Sequence, residues 1–178
     1  MPLLRLGVLT SATICGELYR EVLLLCNAAY REDLTELFRT FGSCTHVIGE
    51  IDDRVVSHAL SVTRWLQPGT SQPLKTAYIE AVATLPAKQG KGYATEVMRH
   101  LASHIPASYE LAALSPADTS LYARLGWQFW RGPLSIRMPS GSSEPTPDER
   151  VMVLELEGRP KLDLAESLSA EWREGELW

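Results

Sequence analysis

Apolar residues along the chain follow two spacings, one typical of helices and one typical of strands. In residues 16–30, "GELYREVLLLCNAAY", they recur at helical spacing and predict an amphipathic helix, and residues 33–41 predict a second, shorter one. Residues 45–51 and 55–65, separated by "DDR", are rich in β-formers and predict two strands joined by a tight turn. A first strand is expected at residues 4–9.

The second half of the chain alternates strands with helices. "LKTAYIEAVATL", "YELAALS", "WQFW" and "VMVLELEG" read as strands, whereas "ADTSLYARLG" and the segment after Gly92 read as helices. Residues 139–150, "PSGSSEPTPDER", have the composition of a poorly ordered loop. We therefore predict an α/β (α+β) fold in a single domain over residues 1–178, with a central mixed, mostly antiparallel sheet of about seven strands flanked by helices.

Composition and charge narrow the class of partner. The chain carries 17 Lys and Arg against 22 Asp and Glu, a net charge of −5, which disfavours nucleic acid because phosphate binding needs clustered bases. Residues 155–178 hold seven acidic side chains against three basic ones, and such an acidic end suits a cationic ligand. No apolar run approaches the ~20 residues that span a membrane. Cys15, Cys26 and Cys44 lack CxxC spacing, which favours reduced thiols in a cytoplasmic protein.

Two glycines, Gly90 and Gly92, open the helix that follows the strand at residues 74–85. Such a turn aims successive N–H groups at one anion, such as phosphate, at the positive end of the helix dipole. The P-loop pattern fails, because Gly90 and Lys91 are followed by Gly92 instead of Ser or Thr. The dinucleotide pattern GxGxxG fits Gly90 and Gly92 but has Thr95 in place of its third glycine, so it matches only in part.

A third glycine pattern fits the turn. "QGKGYA" resembles the Gln/Arg-x-x-Gly-x-Gly/Ala signature of the GNAT acetyltransferases, with Gln89, Gly92 and Ala94 at its fixed positions. "YIEAVAT", "LYARLGW", "TPDER" and "EWREGELW" together resemble the aminoglycoside 2'-N-acetyltransferases, from about Leu74 to Trp178. The resemblance implies the GNAT fold and the transfer of acetyl from acetyl-CoA to an amine of an aminoglycoside, which would confer antibiotic resistance.

The resemblance also implies where acetyl-CoA binds. The glycine turn would hold the pyrophosphate, and the N–H groups of Val82 and Thr84 would pair with the pantetheine arm. The Val82 N–H would also stabilise the oxyanion that develops on the thioester carbonyl. The residues implied for the cosubstrate are Val82, Ala83, Thr84, Gln89, Gly90, Lys91, Gly92, Tyr93 and Ala94. We expect no metal: His100 and His104 are spaced i, i+4 but lack a third ligand.

Three residues are predicted to carry the chemistry. Glu80 stands in an otherwise apolar strand, where a carboxylate is costly unless it is paired or used. In the resemblance, Glu80 is the base, acting through water with the terminal carboxylate of Trp178, and Tyr122 protonates the leaving thiolate. Each residue has a structural alternative: a solvated edge for Glu80, helix packing for Tyr122 and a disordered tail for Trp178.

The acceptor site that the resemblance implies is rich in carboxylates, which suit ammonium groups. Its members are Asp33, Glu80, Ala81, Ser115, Asp148, Glu176 and Trp178. This chain departs from the family at Phe38 and Glu176, where the family tends to carry Asp. Fewer or shifted carboxylates favour an acceptor with fewer amines than gentamicin or tobramycin, such as kasugamycin.

Other functions and the oligomeric state stay open at this point. A GNAT enzyme that acts on a peptide amine or a polyamine fits the same turn, and so does an acetyl-CoA-binding sensor without catalysis. The family often forms homodimers through its sheets, so a homodimer is expected from the resemblance.

Overall fold

Residues 3–178, which the computed structural model describes, form ten strands, four α-helices and one short 3-10 helix. The helices are α1 (Gly16–Tyr30), α2 (Thr35–Thr40), α3 (Tyr93–Ser103) and α4 (Ser120–Arg124), and the 3-10 helix is Pro86–Lys88. The strands are β1 (Arg5–Thr10), β2 (Cys44–Ile51), β3 (Arg54–Pro68), β4 (Leu74–Thr84), β5 (Leu111–Leu114), β6 (Gln128–Phe129), β7 (Leu134–Arg137), β8 (Ser143–Pro145), β9 (Met152–Glu155) and β10 (Leu168–Glu171).

The described residues divide into two compact units. The first unit contains the chain up to Val62 together with Ile79–Ile105, and the second contains Thr63–Tyr78 and Pro106–Trp178. The chain passes from one unit to the other within β3 and within β4, its two longest strands. A single domain over residues 1–178 stays a prediction.

In the first unit, β1, β2 and the first part of β3 form an antiparallel sheet. Asp52 and Asp53 join β2 to β3 with φ of 51° and 57°, the backbone of a two-residue hairpin turn whose twist matches that of the strands. α1 buries Val22, Leu25 and Cys26, and α3 packs on β1 and β2. This sheet and its helices support the end of β4 and the turn that leads into α3.

In the second unit, the first part of β4 pairs in parallel with β5, and the register ends at Tyr78 opposite Ala113. β9 pairs antiparallel with both β5 and β6. The end of β3 pairs antiparallel with β10, which pairs in parallel with β7, and β7 pairs antiparallel with β8. β4 continues for six residues beyond its last pair with β5, and the predicted site residues of this strand lie in that continuation.

The mixed α/β class is confirmed, with hydrogen-bonded strands in the order β6-β9-β5-β4-β3-β10-β7-β8 and with β1 and β2 joined through β3. Residues 3–178 form ten strands where we expected about seven, because β7, β8 and β10 have four residues or fewer and are too short to show a period. β8 lies within residues 139–150, where we expected a poorly ordered loop. Every helix of the described chain is too short or too polar to cross a bilayer.

Candidate active site

The glycine turn lies in the first unit, between the 3-10 helix and α3. Gly90 and Gly92 have φ of 72° and 85°, a left-handed backbone that glycine adopts without strain. A Cβ atom at either position would meet no atom within 4 Å, so both residues border open space. The first N–H groups of a helix have no partner within the helix. The turn therefore offers backbone donors and the positive end of α3 to an anion.

Gln89 connects this turn to the end of β4. Its Nε2 donates to the carbonyl oxygen of Thr84 at 3.2 Å. The hydroxyl of Ser57 in turn donates to the carbonyl of Ala83 at 3.0 Å and lies 2.8 Å from the Thr84 hydroxyl. The first residue of the GNAT-like signature thus holds the strand and the turn at a fixed separation.

The side chains of the turn have different surroundings. Tyr93 is buried with Ile51 and Val56, so it anchors the start of α3 and leaves only its N–H for a ligand. Lys91 is exposed. Ala94 is half-buried, one residue into the helix. A phosphate at this turn would accordingly be held by main-chain donors, with Lys88 and Lys91 the nearby cations in the sequence.

The middle of β4 contains an unusual backbone conformation that sequence reasoning missed. Ala81 has φ of 50°, which costs a residue with a side chain about 1–3 kcal/mol and persists only where the surroundings hold it. Glu80, just before it, is half-buried within this otherwise well-buried strand. Val82, just after it, is also half-buried, and its carbonyl accepts a hydrogen bond from the Tyr30 hydroxyl at 3.1 Å.

Two buried histidines lie behind Ala81. His58 Nδ1 is 3.0 Å from the Ala81 carbonyl oxygen, and His58 Nε2 is 3.0 Å from His46 Nδ1. His46 Nε2 lies 3.2 Å from the Cys44 sulfur. Burial lowers the pKa of His58 to about 3 and also lowers the pKa of His46, so both imidazoles are neutral at pH 7. A histidine on each strand of the predicted hairpin was the signal that sequence reasoning overlooked.

Tyr122 lies on α4 in the second unit, half-buried against Trp127, with the two ring centroids 6.3 Å apart. Burial, with a smaller effect of Asp118, raises the pKa of Tyr122 to about 12. The phenol therefore keeps its proton at neutral pH, as a proton donor must.

The C-terminal end of the chain is packed, also in the second unit. Trp178 is buried, and its Nε1 donates to the Thr146 hydroxyl at 2.9 Å. Arg64, whose side chain is 1% exposed, donates to the carbonyls of Leu177 and Glu171, both at 2.7 Å. Trp178 is thus packed and does not lie in a disordered tail. Sequence reasoning missed Arg64, because an arginine in a strand is usually exposed.

The other predicted acceptor residues lie on the surfaces of the two units. Asp33 in the first unit accepts hydrogen bonds from the Thr35 N–H and hydroxyl, and these bonds lower the pKa of Asp33. Phe38 packs against Phe41 in the core, which explains why no carboxylate stands there. In the second unit, three members of the predicted acceptor set are exposed: Ser115, Asp148 and Glu176. The fourth, Trp178, is buried.

The structure thus gathers the predicted residues in two groups. The first unit brings together Glu80, Ala81, Val82, Ala83, Thr84 and the turn at residues 89–94. The second unit contains Tyr122 and the packed terminus. Within residues 3–178, no group of three or more His, Cys, Asp or Glu side chains is arranged to hold a metal ion.

Comparison with known proteins gives a family and a curated relative. A family model described as "Acetyltransferase (GNAT) domain" matches residues 17–130. The aminoglycoside 2'-N-acetyltransferase of Mycolicibacterium fortuitum is 35% identical over 130 residues, which cover 70% of this chain and 66% of that protein. The chain therefore spans slightly less than two thirds of the length of this relative.

Solved structures share the fold at low identity. A GNAT family acetyltransferase from Brucella melitensis, in complex with acetyl-CoA, has a TM-score of 0.57 at 16% identity, covering 92% of this chain and 94% of that one. Eis1 from Mycobacterium abscessus has a TM-score of 0.62 at 16% identity, covering 75% of this chain and 33% of that one. At these identities the matches concern the fold.

Proposed function

Because the chain belongs to the GNAT acetyltransferase family, we propose that it is an acetyl-CoA-dependent N-acetyltransferase. The observation that carries this proposal is the left-handed turn at Gly90 and Gly92, which opens α3 directly after β4 and faces open space on its Cβ side. The Brucella relative with the same fold was crystallised with acetyl-CoA. The diphosphate of the cosubstrate would bind the N–H groups of this turn, and its pantetheine arm would follow Val82–Thr84.

The proposed acceptor is an amino group of an aminoglycoside. The 35% identity to an aminoglycoside 2'-N-acetyltransferase supports this class of acceptor and the 2' position. Exposed carboxylates at Asp33, Asp148 and Glu176 suit a cationic sugar. Phe38, a core residue, removes one carboxylate of the family pattern, and we therefore propose an acceptor with few amines, such as kasugamycin.

The proposed roles follow the chain's own groups through the reaction. The amine must lose a proton to expose its lone pair, and Glu80 receives that proton through water, with the Trp178 carboxylate assisting. The amine nitrogen then bonds to the thioester carbon, and the Val82 N–H stabilises the negative oxygen. When the carbon–sulfur bond breaks, Tyr122 gives its proton to the thiolate, which its pKa of about 12 makes possible at neutral pH.

A thiol-release assay tests the proposal. Purified protein is mixed with acetyl-CoA and, separately, kasugamycin, gentamicin, tobramycin, spermidine and a peptide amine. We expect turnover with an aminoglycoside, and a loss of about 10²–10⁴ in kcat for Glu80→Gln. Glu157→Gln, an exposed glutamate after β9, is the matched control and should keep its turnover.

Three outcomes would change the proposal. If only spermidine or the peptide amine is acetylated, the proposed acceptor would be that amine and not an aminoglycoside. Binding of acetyl-CoA without turnover of any amine would favour a sensor. No binding of acetyl-CoA in calorimetry would end the proposal altogether. The homodimer stays a prediction, which sedimentation analysis would check.

A further inference from the structure

The peptide unit between Ala81 and Val82 is held at its carbonyl end by a buried histidine. We propose that His58 is a positioning residue for acetyl transfer, which orients and polarises the Val82 N–H and is itself held by His46. This inference rests on the proposed function, in which that N–H stabilises the oxyanion. It adds two residues that neither the glycine signature nor the predicted site contains.

Peptide geometry links His58 to the Val82 N–H. The peptide bond is trans and planar, so its C=O and N–H point in opposite directions and turn together. The φ of 50° at Ala81 is unfavourable by itself, and the surroundings must hold it. His58 Nδ1, 3.0 Å from the Ala81 oxygen, and the Cys26 sulfur, 3.9 Å from the same oxygen, are the side-chain donors behind it. A donor that fixes the carbonyl therefore also fixes the direction of the N–H.

The contact between His58 Nδ1 and the Ala81 oxygen, at 3.0 Å, sets the direction of the hydrogen bonds behind Ala81, since the Cys26 sulfur lies farther from the same nitrogen, at 3.7 Å. A carbonyl oxygen accepts and never donates, so His58 must carry its proton on Nδ1. His58 Nε2 is then an acceptor, and His46 must donate to it from Nδ1 across 3.0 Å. His46 Nε2 is in turn an acceptor, and the Cys44 thiol donates to it across 3.2 Å. In this arrangement a second proton on His58 would set its Nε2–H against the Nδ1–H of His46, and burial disfavours the charged form of both imidazoles.

This chain of donors favours catalysis in two ways. It holds the Val82 N–H in place before the reaction, so that no reorientation is needed when charge develops on the oxygen. It also polarises the peptide, since hydrogen bonds in a chain strengthen one another. Removal of a whole oxyanion donor costs about 10²–10³ in kcat, and we expect the loss of its support to cost about tenfold to a hundredfold.

Two substitutions of His58 distinguish the roles of its two ring nitrogens. The amide nitrogen of asparagine is as many bonds from Cα as Nδ1, whereas that of glutamine matches Nε2. His58→Asn keeps a donor for Ala81, and His58→Gln moves the donor toward His46. We expect kcat to be about tenfold or more higher in His58→Asn than in His58→Gln, with similar KM for acetyl-CoA in both. A residue needed only for packing would not split kcat from KM in this way.

Two further measurements complete the test. Nitrogen NMR of the imidazoles should show both His58 and His46 protonated at Nδ1 and bare at Nε2 in the wild-type protein. Calorimetry should show acetyl-CoA binding to both variants, which establishes that they fold. A proton on Nε2 of His58, or wild-type kcat in a folded His58→Gln variant, would overturn the inference and leave the proposed function standing. No turnover by the wild type with any amine would overturn both.

Discussion

Replacement of Arg64 by methionine is expected to release the C-terminal end of the chain and to lower both stability and turnover. Arg64 is almost fully buried, and its guanidinium donates to the carbonyls of Leu177 and Glu171. It also lies 5.0 Å from the centre of the Tyr78 ring. Methionine replaces the stem of the arginine as far as Nε and keeps its apolar packing, so the substitution removes mainly the guanidinium and its polar contacts.

The expected loss can be worked out from these contacts. Hydrogen bonds to charged groups contribute about 1.5–3 kcal/mol each, and Arg64 makes two at 2.7 Å. Breaking a buried ion pair costs about 3–5 kcal/mol. The partner carboxylate, on Glu171, is 34% exposed and 3.4 Å away, so water can replace part of what it loses. We therefore expect Arg64→Met to lower the free energy of unfolding by about 3 kcal/mol, at the low end of that range.

Urea unfolding measures the stability, and the thiol-release assay measures kcat. Arg5→Met is the matched control, since Arg5 is also paired with carboxylates, those of Glu50 and Asp53, but its side chain is 64% exposed. The control should lose far less stability and keep its turnover. If Arg64→Met is as stable and as active as Arg5→Met, Arg64 does not hold the terminus in the way described.

Three more predictions concern the turn, the terminus and pH. Gly92→Ala puts a side chain at φ of 85° and should weaken acetyl-CoA binding about tenfold in calorimetry. Gly158→Ala, at φ of 75° in another loop, is the control: it bears similar backbone strain, about 1–2 kcal/mol, and should leave acetyl-CoA binding unchanged. A short extension after Trp178 should lower kcat, and the same extension at the N-terminus should not. His58 binds no proton in the folded protein until about pH 3, whereas the unfolded chain binds one below about 6.5. The contribution of His58 to the free energy of unfolding is therefore full above pH 6.5 and falls by about 1.4 kcal/mol per pH unit below it, a loss of about 2 kcal/mol at pH 5. Urea unfolding at pH 7.5 and at pH 5 would measure this loss. Equal stability at the two pH values would contradict the prediction.

Long periodic segments were predictable, and short or cross-strand features were not. The helix at Gly16–Tyr30 was predicted from its helical spacing, and the strand Leu74–Thr84 from its long run of β-formers with little charge. β7, β8 and β10 were not predicted because each has four residues or fewer, and β10 pairs with strands far along the chain, β3 and β7. The resemblance to GNAT acetyltransferases and to the aminoglycoside 2'-N-acetyltransferases is confirmed by the comparisons.

In the candidate site, too, some features could be predicted from the sequence and others could not. Glycines and an isolated Glu80 are visible in a sequence, because each breaks a local pattern. The φ of Ala81 and the bond from His58 depend on how two strands meet, and no spacing along one strand encodes them. The catalytic roles of Glu80, Tyr122 and Trp178 stay predictions until the variants are measured.

The bond from Gln89 to the Thr84 carbonyl gives a reason for the tolerance of the signature at its first position. The acceptor is an oxygen, and the side chain that reaches it must present an N–H at the end of a long stem. Glutamine and arginine both do so, although one is neutral and the other charged, whereas glutamate would set oxygen against oxygen. Evolution at this position would then select for reach and donor capacity, and not for charge.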